Sequence, residues 1–325
     1  MSRYVRQIAL PEFGTAGQDR LAGSHLLVIG AGGLAAPVLQ YLAGAGVGRI
    51  TLVDGDTVAL SNLHRQVLFG IDDIGRPKAD VAARRMAELN PDCAITSVAA
   101  PFDPANAPGH VAAADLVLDC ADSFAASYVA SDTCLAQGTP LISASVVGLS
   151  GYCGGFCGTA PSLRAVFPDL PERAGSCATD GVLGPAVGLL GSLQAQMAMA
   201  VLADMPPSPL GQIVTFDATG LRFGGFRFDG APEPTGGFGF IAPAQTRPGD
   251  WLVDLRATDE TGPPLPGATR RTVQDFDPPD TRPEGKRAVL ACRTGLRSWQ
   301  AATRLRRIWD GDIALIALGD IPEGD

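Results

Sequence analysis

Over the first 145 residues, short aliphatic runs alternate with longer stretches of helical periodicity. Leu26–Ile29 (LLVI) is too short for a helix and is bounded by glycine, which predicts a buried strand of a parallel sheet. Val38, Leu39, Leu42 and Ala45 then recur at helical spacing up to the breakers Gly46 and Gly48, and Ile50–Val53 forms a second strand closing on Asp54. Segment 57–76 is polar and loop-like, interrupted by Val67–Phe69. Pro77 opens a helix over Lys78–Leu89 with Val81, Ala82, Met86 and Leu89 on one face. Further strands are predicted at Ile95–Val98, Asp115–Asp122 and Pro140–Ser145, with helical sequence to about Gln137 between the last two. The alternation specifies an α/β fold with a Rossmann-like doubly wound sheet, whose ligands lie beyond the carboxyl ends of the strands. Asp54 and Asp122 both fall at strand ends, so both can face one crevice.

Residues 146–170 are glycine-rich and read as irregular, and Gly184–Ala203 reads as a buried helix behind Pro185. Ile213–Asp217 and Leu221–Phe228 form a hairpin pattern, and Gly230–Gly249 has the glycine, proline and polar composition of a linker. From Trp251 the pattern restarts: a strand in WLVDLR, a turn in PLPGATR, a strand running into a loop in RAVLACRTGLRS, a helix over Trp299–Trp309 and a last strand at Ala314–Leu318. The expected organisation is a large α/β domain over 1–229, a linker over 230–249 and a small α/β domain over 250–325. Arg304, Arg306 and Arg307 on the last helix read as a solvated basic face.

Composition narrows the function. The chain has 325 residues, 46% of them hydrophobic, and a net charge of −9. An acidic chain is not attracted to a phosphate backbone or to anionic lipid, so neither nucleic acid nor membrane is expected as a partner. No stretch reads as the ~18 apolar residues that span a bilayer. MSRYVRQIALPEFG carries charges where a signal peptide needs an apolar core, so a cytoplasmic location is expected. Seven scattered cysteines argue against a disulfide framework, and Cys93, Cys120 and Cys134 read as small buried hydrophobes. His25, His64 and His110 show no ligand spacing.

Gly30, Gly32 and Gly33 follow the first strand and precede a helix, so unpaired N–H groups and partial positive charge can meet a phosphate there. Asp54 can then hold a ribose hydroxyl. A turn serving strand–helix packing alone is the simpler alternative. The sequence adds Ser61, Asn62, Arg65 and Lys78, whose two cations make a triphosphate clamp, and Asp122 can hold Mg²⁺ between phosphates. That set suits nucleotidyl transfer better than hydride transfer: an NAD-dependent oxidoreductase would leave Arg65 and Lys78 without purpose.

RYVRQ, GAGGLAAP, VDGDTV with LSNLHRQ, IGRPK, LVLDCADSF and GPAVGLLGSLQAQMA together resemble the MoeB/ThiF/HesA family, the bacterial relatives of ubiquitin-activating enzymes, over about residues 3–228. The resemblance implies ATP and Mg²⁺ as cofactors and adenylation of the C-terminal glycine carboxylate of a small ubiquitin-like sulfur carrier (ThiS or MoaD type) ending in Gly-Gly, for thiamine or molybdenum-cofactor biosynthesis. It implies that Gly33 and its neighbours meet the phosphates, Asp54 the ribose, and Asn62, Arg65 and Lys78 the phosphates, with Asp122 positioning magnesium. Arg6, otherwise a solvated neighbour of Arg3, matches the arginine that reaches the nucleotide of the partner subunit, which implies a homodimer. The sequence departs from the family at Ala35–Ala36, where a further glycine is common, and at Ser123 and Ser127, where asparagine and arginine are usual. The family's zinc site takes two CxxC pairs; here stand Cys153 and Cys157 in CGGFC and no cysteine between 178 and 291, so no zinc is expected. Cys177, in AGSCATDG, aligns with a cysteine that some relatives join to the carrier; the residues alone leave it equally inert or reactive.

In CRTGLRS a cysteine leads a short loop into a helix, so successive N–H groups can form an anion cradle, and Arg293 and Arg297 add charge. With Asp254, Arg256, Glu260 and the PGA turn at 266–268, this resembles a rhodanese domain over about 245–320, with Cys292, Arg293, Gly295, Arg297 and Ser298 as the persulfide loop. A phosphatase-like loop or an inactive rhodanese fold is the alternative. The combined expectation is a carrier-activating enzyme with sulfur relayed through Cys292 from a donor such as a cysteine desulfurase. A non-adenylating carrier-binding scaffold and a plain sulfurtransferase are the other readings.

Overall fold

In a computed structural model of the chain, residues 3–170, 180–260, 262, 264–277, 283 and 285–319 are described. Two helices, α1 (Val5–Ile8) and α2 (Gly14–Gly23), precede β1 (His25–Ile29), α3 (Ala35–Ala45), β2 (Arg49–Val53), α4 (Lys78–Leu89) and β3 (Ala94–Val98). There follow α5 (Ala107–Ala112), β4 (Leu116–Asp119), α6 (Phe124–Gln137), β5 (Pro140–Val147) and β6 (Ser150–Cys157). Then come α7 (Leu163–Val166), α8 (Gly184–Leu202), β7 (Gln212–Asp217) and β8 (Arg222–Arg227). These strands make one eight-stranded sheet in the order β3-β2-β1-β4-β5-β6-β7-β8. β1 pairs in parallel with both β2 and β4, Leu26 lying opposite Ile50 and Leu116. Strands buried on both faces must be apolar throughout, which is why LLVI and LVL appear as runs rather than alternations.

β5 to β8 are antiparallel, and here the sequence reading needs correction. The glycine-rich stretch expected to be irregular contains β6, paired along its length with β5 from Pro140–Cys157 to Val147–Ser150. Its glycines mark close backbone approach, not a loop: a side chain on Gly155 would meet the Pro209 carbonyl at 2.6 Å. Cys153 and Cys157 are consequently buried in a strand, and burial pushes both thiols up, Cys157 to about 12. Cys93, Cys120 and Cys134 are buried as expected.

α8 corrects a second expectation. Its 19 residues are long and apolar enough by length and composition to cross a membrane. Its buried side, with Val187, Leu190 and Ala198, belongs to the main core beside Leu34, Ala35 and Val38 of the first glycine turn and α3. Core burial therefore accounts for its apolarity.

A second, five-stranded parallel sheet comprises β9 (Gly239–Phe240), β10 (Asp250–Asp254), β11 (Thr269–Arg270), β12 (Arg287–Cys292) and β13 (Asp312–Ala317), in the order β11-β10-β12-β13-β9, with α9 (Leu296–Arg306) after β12. The segment expected as a linker is anchored along much of its length. Phe240 pairs with Leu315 as β9, Phe238 and Ala242 are buried, and Glu233 accepts hydrogen bonds from the Ser162 N–H (2.7 Å) and hydroxyl (2.5 Å). The α9 arginines are also engaged: Arg304 pairs with Asp277 at 2.7 Å, and Arg306 donates to the Gly311 carbonyl at 2.9 Å and lies over the Phe238 ring.

Arg164 of α7 joins the two sheets. It forms two bonds to Asp132 (2.6 and 2.8 Å), donates to the Phe238 carbonyl and lies over the rings of Tyr128 (4.3 Å) and Trp299 (5.6 Å). Tyr128 and Trp299 stack at 5.7 Å, and Phe238 meets Trp299 edge-on. A forked guanidinium suits this position because it bonds in plane and stacks out of plane. Trp299→Ala is expected to cost about 3–5 kcal/mol, read by circular dichroism in a urea titration; a loss below ~1 kcal/mol would show that this junction carries little of the fold's stability.

Candidate functional site

The C-terminal edge of the first sheet opens into a cavity of about 850 Å³, within the range of small-molecule and cofactor sites. Gly30, Gly32, Gly33, Asp54, Arg65, Lys78 and Asp122 all line it. β1, β2 and β4 bring these distant positions together because adjacent parallel strands end at one edge.

The glycine turn is shaped by close packing. Gly30 has φ +87°, and a side chain there would meet the Cys120 carbonyl at 2.9 Å, so only glycine fits without strain. At Gly33 a side chain would meet Val187 at 2.7 Å. Asp54 accepts from the Ala31 N–H at 2.6 Å and from the Asp56 N–H at 2.8 Å. Burial raises its pKa, against the field of Lys78 and those two N–H groups. Lys78 is buried and bonds Asp56 at 2.9 Å. Asp56 was not singled out from the sequence; it holds the lysine head at the cavity wall.

Ser61 and Asn62 do not line the cavity. The Ser61 carbonyl accepts from the Arg65 guanidinium at 3.3 Å, and the Asn62 side chain caps its own turn at Ala59 (3.4 Å), so both shape the loop that presents Arg65. Arg6 lies elsewhere as well. It is exposed on α1, next to Tyr4, whose ring packs on Gly46 at the end of α3 away from the glycine turn. Cys177 lies outside the described residues.

Three further residues were missed. Gln66 lines the cavity, is buried, and its Oε1 has no hydrogen-bond partner; its place directly after Arg65 was the available signal. Asp119 is fully buried, accepting from the Ser143 hydroxyl at 2.7 Å and the Ala121 N–H at 3.2 Å, which fixes the turn into Asp122. Gln194 of α8 donates to the carbonyls of Asp119 (2.8 Å) and Ile142 (3.0 Å) and accepts from the Cys120 thiol. A glutamine inside an apolar helix was the hint to that network. Asp122 itself is exposed at the rim. Among the described residues no group of three or more His, Cys, Asp or Glu is arranged to hold a metal ion.

On the second sheet, Cys292 is buried at the end of β12, and its Sγ accepts from the N–H groups of Gly295 (3.1 Å) and Ser298 (3.4 Å). Glu260 binds Arg297 with two bonds of 2.6 Å, and that guanidinium lowers the Glu260 carboxyl to about 2. Asp254 and Arg256 pair below the loop at 2.9 Å. The Ser298 hydroxyl is buried without a partner. Of the loop residues, Arg293 lines the same 850 Å³ cavity as the glycine turn.

Strand-end acids, a glycine turn at a helix start and two cations beside it define a nucleotide-binding α/β enzyme of the nucleotidyltransferase class. Residues 4–235 match the ThiF family, and the chain belongs to that family. It is 40% identical over 225 residues to the SAMP-activating enzyme E1 of Haloferax volcanii, covering 69% of this chain and 83% of that protein. It is 43% identical over 219 residues to the sulfur carrier protein ThiS adenylyltransferase of Escherichia coli, covering 66% and 86%. Against the adenylyltransferase and sulfurtransferase MOCS3 of Bos taurus it is 44% identical over 219 residues, covering 66% of this chain and 48% of that protein. In fold it is similar to E. coli MccB, solved with ATP, at a TM-score of 0.63 and 22% identity, covering 72% of this chain and 74% of that one.

Burial pushes Asp119 up to about 6. Between about pH 4 and 6 the unfolded chain therefore releases a proton that the folded chain keeps, so this group's stabilisation, full below pH 4, is lost as pH rises. Asp119→Asn should remove a decline on the order of 3 kcal/mol over that window, read as the difference between urea midpoints at pH 4 and pH 7. An equal pH dependence in both proteins would refute the assignment.

Proposed function

We propose that the chain uses ATP to adenylate the C-terminal carboxylate of a small ubiquitin-like sulfur carrier ending in Gly-Gly, and that sulfur then reaches this carboxyl carbon through Cys292. The observation that carries the reading is the single cavity shared by the glycine turn, Arg65, Lys78, Asp122 and the loop of Cys292. Relatives named for carrier activation and ThiS adenylylation support the substrate class.

In the proposed first step the carrier carboxylate attacks the α-phosphorus, the bond to the β-phosphate oxygen breaks, and pyrophosphate leaves. N–H groups of the glycine turn, Arg65 and Lys78 bind the phosphates and offset the charge that builds on the leaving group. Asp54 takes the ribose. Asp122, an exposed carboxylate at the rim, would be the residue that holds a magnesium ion, which would supply further charge neutralisation. Arg6, remote from its own cavity, is proposed to serve the site of a second subunit in a homodimer.

The 250–325 region is proposed to act as a rhodanese-like domain. Loaded by a donor such as a cysteine desulfurase, Cys292 carries a persulfide whose terminal sulfur attacks the acyl carbon and displaces AMP, leaving an acyl disulfide. A second thiol, proposed to be Cys177, attacks the Cys292 sulfur. The carrier thiocarboxylate departs, and a Cys177–Cys292 disulfide remains for an external dithiol to reduce. The N–H groups of Gly295 and Ser298, aimed at Sγ, are placed to hold a negatively charged sulfur. The carrier that binds assigns the product to thiamine or to the molybdenum cofactor. Its docking surface is proposed to be the groove over β6–β8, where Phe223 and Phe226 are exposed.

Purified protein with magnesium, ATP and a Gly-Gly carrier should catalyse carrier-dependent ATP–pyrophosphate exchange, and Arg65→Ala or Asp122→Asn should reduce it ~100-fold or more. Absence of exchange with any such carrier would overturn the reading. Cys292→Ala should accumulate carrier adenylate and yield no thiocarboxylate by mass spectrometry; thiocarboxylate formed at the normal rate would remove Cys292 from the relay.

A further inference from the structure

The nucleotide cavity is walled on one side by the second sheet, through Phe240 and the loop after β12. That loop is held close. Gly295 has φ +90°, and a side chain there would meet the Phe240 ring at 2.8 Å and the Ala125 Cβ at 3.5 Å. Ala125 belongs to the first turn of α6, directly after Asp122 and Ser123, so the loop abuts the helix start that faces the cavity. Arg293, half-buried, enters the lining there.

Charge makes this placement consequential. Among the described lining residues three are basic, Arg65, Lys78 and Arg293, against five aspartates. A polyphosphate entering so acidic a chamber depends on each cation for neutralisation. Arg65 and Lys78 both belong to the side of the glycine turn, and Lys78 already shares its charge with Asp56. The lining from Asp122 through Val129 supplies a carboxylate, hydroxyls and apolar groups, with no cation. Arg293 provides the positive charge at that wall. Its field also helps to keep Glu260 ionised, so it is a charge shared between the sulfur loop and the cavity.

We propose that Arg293 is a nucleotide-binding residue, its guanidinium contacting the phosphates of the bound nucleoside polyphosphate, so that the second sheet completes the adenylation site. The proposal rests on the nucleotide reading of the cavity given above. Arginine suits the task because its fork can bind two phosphate oxygens at once. Since Arg293 adjoins Cys292 in the chain, the same contact would register the bound phosphate beside the sulfur-carrying residue.

The test is equilibrium binding of magnesium with the α,β-methylene analogue of ATP, and separately of adenosine, to the full chain. Arg293→Ala should weaken the analogue at least tenfold and leave adenosine within twofold, while Arg293→Lys recovers part of the loss. The neighbouring exposed Thr294→Ala should bind both like wild type. Analogue affinity within twofold in a folded Arg293→Ala protein overturns the proposal, as does an equal loss for adenosine. Should Arg293→Ala fail to fold, Arg293→Gln decides between the same two outcomes. Wild-type protein that binds the analogue without carrier-dependent exchange refutes the proposed reaction alone; unchanged binding in the variants refutes the role of Arg293 alone.

Discussion

Asp54 ties the end of β2 to the turn after β1, accepting the Ala31 N–H at 2.6 Å and the Asp56 N–H at 2.8 Å. Those two bonds fix three things together: the path of the glycine turn, the position of Asp56, and through Asp56 the head of Lys78. The two N–H groups and the field of Lys78 offset part of the cost of burying this carboxylate. Desolvation by the surrounding protein still outweighs them and raises its pKa. If this junction shifted, the helix start and the lysine would no longer face one volume, and the cations would lose their common target.

A second layer supports the same edge from beneath. Gln194 crosses from α8 to the carbonyls of Asp119 and Ile142, and Asp119 in turn holds the Ala121 N–H. Such a buried polar network is tolerable because its members are paired, and it specifies one arrangement of the β4 end. Asp122 is thus an exposed side chain on a rigid mount, the arrangement that the magnesium role proposed for it would require.

Much of the first sheet was legible because its signals are local. LLVI, the glycine turn and Asp54 lie within one short unit, and each element's periodicity is visible without its neighbours. β6 was illegible for the converse reason: SGYCGGFC has the composition of a loop, and only pairing with β5 and β7 makes it a strand. The stretch around Phe238 and Phe240 carries linker composition, yet two aromatics suffice to anchor it once Trp299 and β13 are present. Arg65, Lys78 and Asp122 were singled out from motif context, and all three line the one cavity. Ser61 and Asn62 could not be told from lining residues, because whether a polar side chain faces a ligand or caps its own turn is decided by loop geometry. Arg164 gave no sequence signal at all, since its partners lie on three separate segments: α6, the stretch at Phe238, and α9.

The way the two sheets meet bears on the proposed reaction. A flexible tether would bring the Cys292 loop to the cavity only part of the time, at an effective concentration set by its length. Here the stacked Tyr128 and Trp299, Arg164 donating to the Phe238 carbonyl and lying over Trp299, and Glu233 accepting from Ser162 make the loop a standing part of the cavity wall. In the proposed reaction the carrier tail must then reach the cavity beside this fixed loop, and an end without side chains needs the least room. Two terminal glycines meet that demand: an extended chain advances about 3.3 Å per residue, and with no Cβ it can thread between packed backbone and a closing loop. In the proposed reaction the rigid junction of the sheets and the Gly-Gly ending of the carrier are two sides of one steric requirement.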